Sequence, residues 1–220
     1  MRLLPIITIT LLCVAAASVG CKGTQARLMH NNELDKVGSN RAGAEVYNPM
    51  VRQTTAKLLA RAASQPIQQV SHHTGGSAKR RVCFITLDNQ SMEELGDFKE
   101  HIKIAILEEI ASSEQFEIVS DRAVTAGLRA LSLRDDDLFM PENMRMFSSV
   151  MGRDGTPVDY LLFATITSGT TVDNRDMQRD YKLTLQLINT QTFSPIMEST
   201  PMRKEYNNSV KGKIGNWFKK

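Results

Sequence analysis

Residues 181–189 carry the most regular strand pattern in the chain. Tyr181, Leu183, Leu185 and Leu187 fall on one side, and Lys182, Thr184 and Gln186 on the other. Successive side chains of an extended chain point to opposite faces, so this segment is predicted to be a strand with one face buried. Thr190, Gln191 and Thr192 supply a turn. Residues 193–205 are predicted to return as the hairpin partner, with Pro201 marking an edge or an irregularity, because proline cannot donate to a ladder. An isolated hairpin is marginal in water. The rest of the chain must therefore bring further strands and a layer to cover the leucines. With 220 residues the chain has room for one domain plus tails.

The remaining segments provide that layer. Asn48 reads as an N-cap and Pro49 as the first turn of a helix running to about residue 63, with Met50, Thr54, Leu58 and Ala62 on one stripe. Residues 64–79 hold Pro66, His72-His73 and Gly75-Gly76 and read as a loop or linker. Residues 81–87 are a predicted buried strand. Residues 91–112 are a predicted long helix, in which Leu95, Phe98, Ile102, Ala105-Ile106 and Ile110 follow the 3.6 period. A second strand is expected at 115–119. Ser120 or Asp121 then caps a helix over 122–131, Asp135-Asp136-Asp137 breaks the pattern, and Pro141 opens a helix ending near Gly152. Residues 158–167 are a strand. This order gives an α/β fold: a mixed, largely antiparallel sheet of about four to five strands flanked by helices.

The N-terminus has a separate character. Arg2 precedes an apolar run over 3–17, followed by Ser18-Val19-Gly20-Cys21 and then polar Lys22. A positive start, an apolar middle and small residues before a cleavage point make a secretory signal. The run is short of the roughly 20 apolar residues of a membrane span. Val19-Gly20-Cys21 resembles the lipobox of bacterial lipoproteins, although Ser18 stands where Leu is usual. That resemblance implies cleavage before Cys21 and acylation, including palmitate, of the cysteine. Each buried CH₂ contributes about 0.8 kcal/mol, so several chains on one residue anchor firmly where one is marginal. Lys22 in place of an Asp favours the outer membrane, with the body facing the periplasm. The other reading is an ordinary secretory peptide that leaves Cys21 as a spare thiol. The boundaries that follow are a signal peptide over 1–20, a flexible tether over 21–45, a globular domain over 46–206 and a basic tail over 207–220. A flexible tether of that length spans roughly 25–30 Å root-mean-square.

No residue stands out as catalytic, cofactor-binding or metal-ligating. His72-His73 are adjacent and lack further ligands at metal spacing. Arg134-Asp135-Asp136-Asp137 lacks the alternation and turn glycine of a calcium loop. Gly75-Gly76 is not followed by the Lys-Ser/Thr of a phosphate loop, and there is no Gly-x-Ser-x-Gly. A carboxylate pair that meets only in space is not readable from the sequence, and nothing singles one out. Cys83 sits in an apolar run and reads as a small buried hydrophobe. The net charge of +3 does not imply a nucleic-acid partner. In the tail, Ile214, Trp217 and Phe218 share one helical face among Lys211, Lys213, Lys219 and Lys220. Two readings stay open there: a solubilising tail whose Trp packs on the domain, or contact with membrane, anionic polymer or partner.

Several segments together resemble the LpoB-type activators of penicillin-binding proteins, over about residues 48–206. The first is residues 82–91, Val-Cys-Phe-Ile-Thr-Leu-Asp-Asn-Gln-Ser, a strand ending in Asn-x-Ser. The second is Ile106-Leu107-Glu108-Glu109-Ile110 leading to Phe116-Glu117-Ile118-Val119-Ser120-Asp121-Arg122. The third is Val158-Asp159-Tyr160-Leu161-Leu162, and the fourth is the strand and turn over 181–192. Met197 stands near the place of that family's Trp in the last strand. The resemblance implies a lipoprotein that performs no chemistry and regulates peptidoglycan synthesis for the cell wall by binding a bifunctional penicillin-binding protein. It does not place the partner-binding residues. Two other readings share the compartment: a structural lipoprotein scaffold for envelope assembly or secretion, and an accessory domain of wall hydrolysis or a cryptic enzyme.

Overall fold

The structure is a computed structural model that describes residues 33–34, 37, 41–65, 79–152, 158–173 and 176–207; those from Val37 onward belong to the unit Asp35–Lys220. Cys21 and the signal, most of the tether, His72-His73, Gly75-Gly76, and the tail with Trp217 and Phe218 lie outside the described residues.

Helix α1 spans Ala44–Ala63 and begins before the expected Asn48-Pro49 start. Pro49 lies inside it and cannot donate to the carbonyl four residues back, which in a helix interior costs about 3 kcal/mol. Val46 and Tyr47, at 3% and 2% exposure, outweigh that loss, since burying a large apolar side chain contributes about 1.5–3 kcal/mol. Gly43 is the N-cap, and the boundary expected between tether and domain at 45/46 falls within the first helical turn. At the other end, Arg80 reaches the carbonyls of Ala62, Ala63 and Gln65, a cation on the negative end of the helix.

Strand β1 (Arg80–Gln90) runs on through the expected 81–87. Helix α2 is Phe98–Ala111, so residues 91–97 are not the helix that their spacing predicts. Asn89 explains the difference. Its Oδ1 accepts from the Ser91 backbone (3.1 Å) and hydroxyl (2.7 Å), while its Nδ2 donates to the Glu93 carbonyl (2.8 Å). These local bonds compete with the helical ones. Gly96 then turns the chain at φ 55°, a left-handed conformation that glycine adopts freely.

Strand β2 (Phe116–Ile118) leads to α3 (Asp121–Leu131), where the Ser120 side chain accepts from Ala123 N as the N-cap. A 3₁₀ turn over Asp135–Phe139 and helix α4 (Pro141–Met151) follow, with Pro141 at the first turn as expected. The C-terminal third is β3 (Tyr160–Asp173), β4 (Asp176–Asn189) and β5 (Pro195–Asn207). The sheet order is β2-β1-β3-β4-β5. β1 is parallel to β2 and β3, whereas the long β3-β4 and β4-β5 ladders are antiparallel. The sheet is thus mixed and largely antiparallel, in agreement with the expectation.

Two cores flank it. Tyr181, Leu183, Leu185 and Leu187 of β4 face α1 and α2 together with Val82 and Phe84 of β1 and Leu162 and Ile166 of β3. A bulge between Phe84 and Thr86 lets Leu87 join the same side. Cys83, Leu161, Phe163 and Ile188 face the other way, against Val124 of α3 and Met144 and Phe147 of α4.

A candidate docking face

The two helical layers differ in reach. α1 and α2 cover the leucine face as far as β5. On the opposite face α3, the 3₁₀ turn and α4 pack over β1, the start of β3 and the end of β4. Beyond them, among the described residues, nothing covers the second face of β3, β4 and β5. Strand parity and register place there Thr165 and Thr167, Lys182 and Thr184, and Ser199, Pro201 and Arg203. The three β5 residues and Lys182 are exposed, and the threonines half-buried. Arg203 pairs with Asp180 at 3.1 Å in the same stretch.

The rim toward the helices is apolar. Phe139 stacks on Phe163 with centroids 4.4 Å apart and planes at 28°, yet remains 50% exposed. Phe163 is level with Gln186, and Gln186 with Met197, which is 51% exposed. Neighbouring strands lie about 4.8 Å apart, so Met197 stands about 10 Å from Phe163 across the sheet. The result is a threonine-rich sheet surface with an aromatic and methionine border. It has hydroxyls and long side chains to complement a protein surface, and no group placed for covalent chemistry. Among the described residues no three His, Cys, Asp or Glu side chains are placed to hold a metal.

The residues marked in the sequence take structural posts. Asp159 accepts from the Arg81 backbone at 2.7 Å, and its own backbone N–H donates to Arg81, so it pins the start of β3 to β1. Asn89 organises the 91–97 turn. Asp137 Oδ2 accepts from the Arg134 backbone at 2.8 Å, closing the 3₁₀ turn. Cys83 is fully buried, and burial pushes its thiol up to about 12.

One group went unread: a buried polar cluster where the chain enters α1. Glu93 accepts from the Tyr181 hydroxyl (2.8 Å) and from Ala42 N (3.0 Å), and pairs with Arg179. The Tyr181 and Tyr206 hydroxyls are 3.0 Å apart. Lys204 donates to Glu45 Oε1 (2.8 Å) and to the Arg41 carbonyl (2.6 Å). Burial, with the neighbouring Tyr206 and Glu45, raises Tyr47 to about 12, and burial with the Tyr206 hydrogen bond raises Tyr181. The signal was available. Extending the leucine side of β4 back by two residues puts Arg179 on the buried face, and the matching side of β5 carries Lys204. A charge on an apolar face announces a buried partner.

A sequence profile of the family described as peptidoglycan-synthase activator LpoB matches residues 49–194, well over half of the chain. The chain belongs to the LpoB family. This LpoB-family protein is accordingly a regulator of peptidoglycan synthesis in the cell envelope, an activator rather than an enzyme. Among solved structures, the LpoB C-terminal domain from Salmonella enterica is similar at 16% identity and a TM-score of 0.43, covering 74% of this chain and 98% of that one. The LpoB C-terminal domain from Escherichia coli gives 18%, 0.43, 71% and 97% for the same four measures. Lipoprotein GNA1162 from Neisseria meningitidis gives 16%, 0.41, 64% and 93%. No curated protein matches the LpoB-family chain in sequence. No helix among its described residues is long and apolar enough to cross a membrane.

Proposed function

We propose that this protein is a lipid-anchored activator that docks on a bifunctional penicillin-binding protein through the open face of β3, β4 and β5. The observation that carries the reading is the match to the peptidoglycan-synthase activator family over residues 49–194. The anchor is Cys21, cleaved from its signal peptide and acylated, in the outer membrane and facing the periplasm. The residues between Cys21 and Arg41 act as the tether, and the basic tail with Trp217 and Phe218 is a second candidate contact with membrane or anionic polymer. Activation is allosteric: the domain must bind the synthase's active state more tightly than its inactive state, since a ligand with equal affinity for both shifts nothing.

Photo-crosslinking in intact cells tests the face. A crosslinker at Thr184 or Ser199 is expected to give an adduct that mass spectrometry identifies as a penicillin-binding protein, and one at Arg52, on the outer side of α1, none. Adducts from Arg52 alone, or capture of a secretion component in place of a synthase, would overturn the assignment. The anchor has its own test. Cys21→Ser is expected to abolish palmitate labelling and leave an uncut or soluble product; a mutant that still takes label refutes lipidation at this residue.

A further inference from the structure

The buried cluster converges on one peptide group. The carbonyl of Arg41 accepts from Lys204 Nζ at 2.6 Å, and the N–H of Ala42 donates to Glu93 Oε2 at 3.0 Å. These two atoms belong to the same amide plane, held from one side by β5 and from the other by the turn after β1. Behind them stand Arg179 and Tyr181, which hold Glu93, Tyr206, which bonds to Tyr181, and Glu45, which holds Lys204.

Burying such charges is a poor route to stability. The desolvation cost commonly cancels the attraction, and well-packed apolar residues do as well or better. Side-chain exposures of 8% for Glu93, 17% for Arg179, 7% for Lys204 and 12% for Glu45 place all four in that regime. What buried ion pairs do supply is geometry, since only one arrangement satisfies them. The first turn of α1 is bound to the end of β5 by the buried pair Glu45 and Lys204, and its last turn touches the start of β5 through the exposed pair Arg61 and Glu198 at 2.8 Å. The helix rises about 24 Å between Glu45 and Arg61, and the strand about 20 Å between Lys204 and Glu198. The two contacts thus sit near opposite ends of both elements, and it is the buried Glu45–Lys204 pair that fixes how the first turn of α1 meets the end of β5.

We propose that this cluster is a clamp that grips the Arg41–Ala42 peptide group, fixing where the polypeptide joins the domain and shielding that junction from proteolysis. The clamp secures the domain to whatever precedes Arg41. It rests on reading those earlier residues as a tether, which the palmitate experiment at Cys21 checks separately.

Trypsin on the full-length chain provides the test, because Arg41 is exposed and the bond after it is the one gripped. A protease needs the backbone opened locally before it cuts. Losing one buried hydrogen-bonded partner in Lys204→Met or Glu93→Gln is expected to speed cleavage after Arg41 about tenfold, measured against cleavage after Arg27 in the same chain. Gly43→Ala leaves every charge in place but puts a Cβ 2.6 Å from Glu45 Oε2, so the carboxylate that holds Lys204 must rotate. Tyr181→Phe removes one hydrogen bond from Glu93 and leaves the ring. Both are expected to accelerate the same cut by about twofold or more. Hydrogen exchange across 82–87 and 183–188 should stay as in the parent. Equal cleavage rates in all the chains would overturn the clamp. So would a loss of protection across the sheet as large as that at 41–47, which would make the cluster ordinary core. Should the two charge variants fail to fold, Gly43→Ala and Tyr181→Phe decide by the same criteria.

Discussion

Cys83 lies on the sheet face that α3 and α4 cover, and burial holds its thiol in the neutral form. An acid whose folded pKa is raised contributes stability that is fully present below its unfolded value and is lost as pH climbs through the folded one. For Cys83 that window runs from about 9 to about 12, at roughly 1.4 kcal/mol per pH unit. Tyr47, raised from 10 to about 12, adds to the upper part. The melting temperature is therefore expected to fall from pH 9 upward, and Cys83→Ala to flatten the slope between pH 9 and 10 in a thermal-melt series. An unchanged slope would show that the thiol is not the group responsible. Gly127 makes a different point. A Cβ there would meet Met151 Sδ at 2.7 Å and Phe147 Cε2 at 3.1 Å, so α3 and α4 touch at that glycine. Gly127→Leu is expected to lose about 1–3 kcal/mol by overpacking, read as a lower urea midpoint, despite the better helix propensity of leucine.

β5 is the edge of the sheet beyond β4. An edge strand this long is a template for unwanted pairing unless it is protected. Pro195 and Pro201 remove two donors, and Arg61 reaches over the edge to the Met197 carbonyl and to Glu198. Pro201→Thr is expected to restore a donor on an exposed, otherwise regular strand and to raise the dimer or aggregate fraction in size-exclusion chromatography, with little change in melting temperature. A strictly monomeric variant would argue against the guard. Pro201 was legible because proline has only a few tolerated places in a sheet. The 91–97 turn was not, because Leu95 falls in helical phase with Phe98 and Ile102 while Asn89 and Gly96 organise something else.

The described residues form one sheet, one complete helical layer and one partial layer, and among them nothing beyond the partial layer covers the β3-β4-β5 surface. Both cores are built from residues between Ala42 and Met202 among those described. A chain trimmed to residues 41–207 is expected to melt within about 4 °C of the full chain, the shift that roughly 1 kcal/mol produces at this size. A larger fall in calorimetry would show that the termini add to the folded body.

Periodicity, cap and proline signals were sufficient for the strand at Tyr181–Leu187, a cap at Ser120 or Asp121, the Pro141 helix start and the order of elements, because each depends on neighbours a few residues away. The lipobox-like Val19-Gly20-Cys21 is local in the same sense. The parallel pairing of β1 with β3 and its bulge at Phe84–Thr86, the early start of α1 beside Phe98 and the clamp on Arg41–Ala42 depend on residues far apart in sequence, 51 positions for Ala42 and Glu93 and 163 for Arg41 and Lys204. Only a folded sheet brings Glu93, Arg179 and Lys204 together, and among the described residues the short reach of α3 and α4 decides which of the two sheet faces is left uncovered.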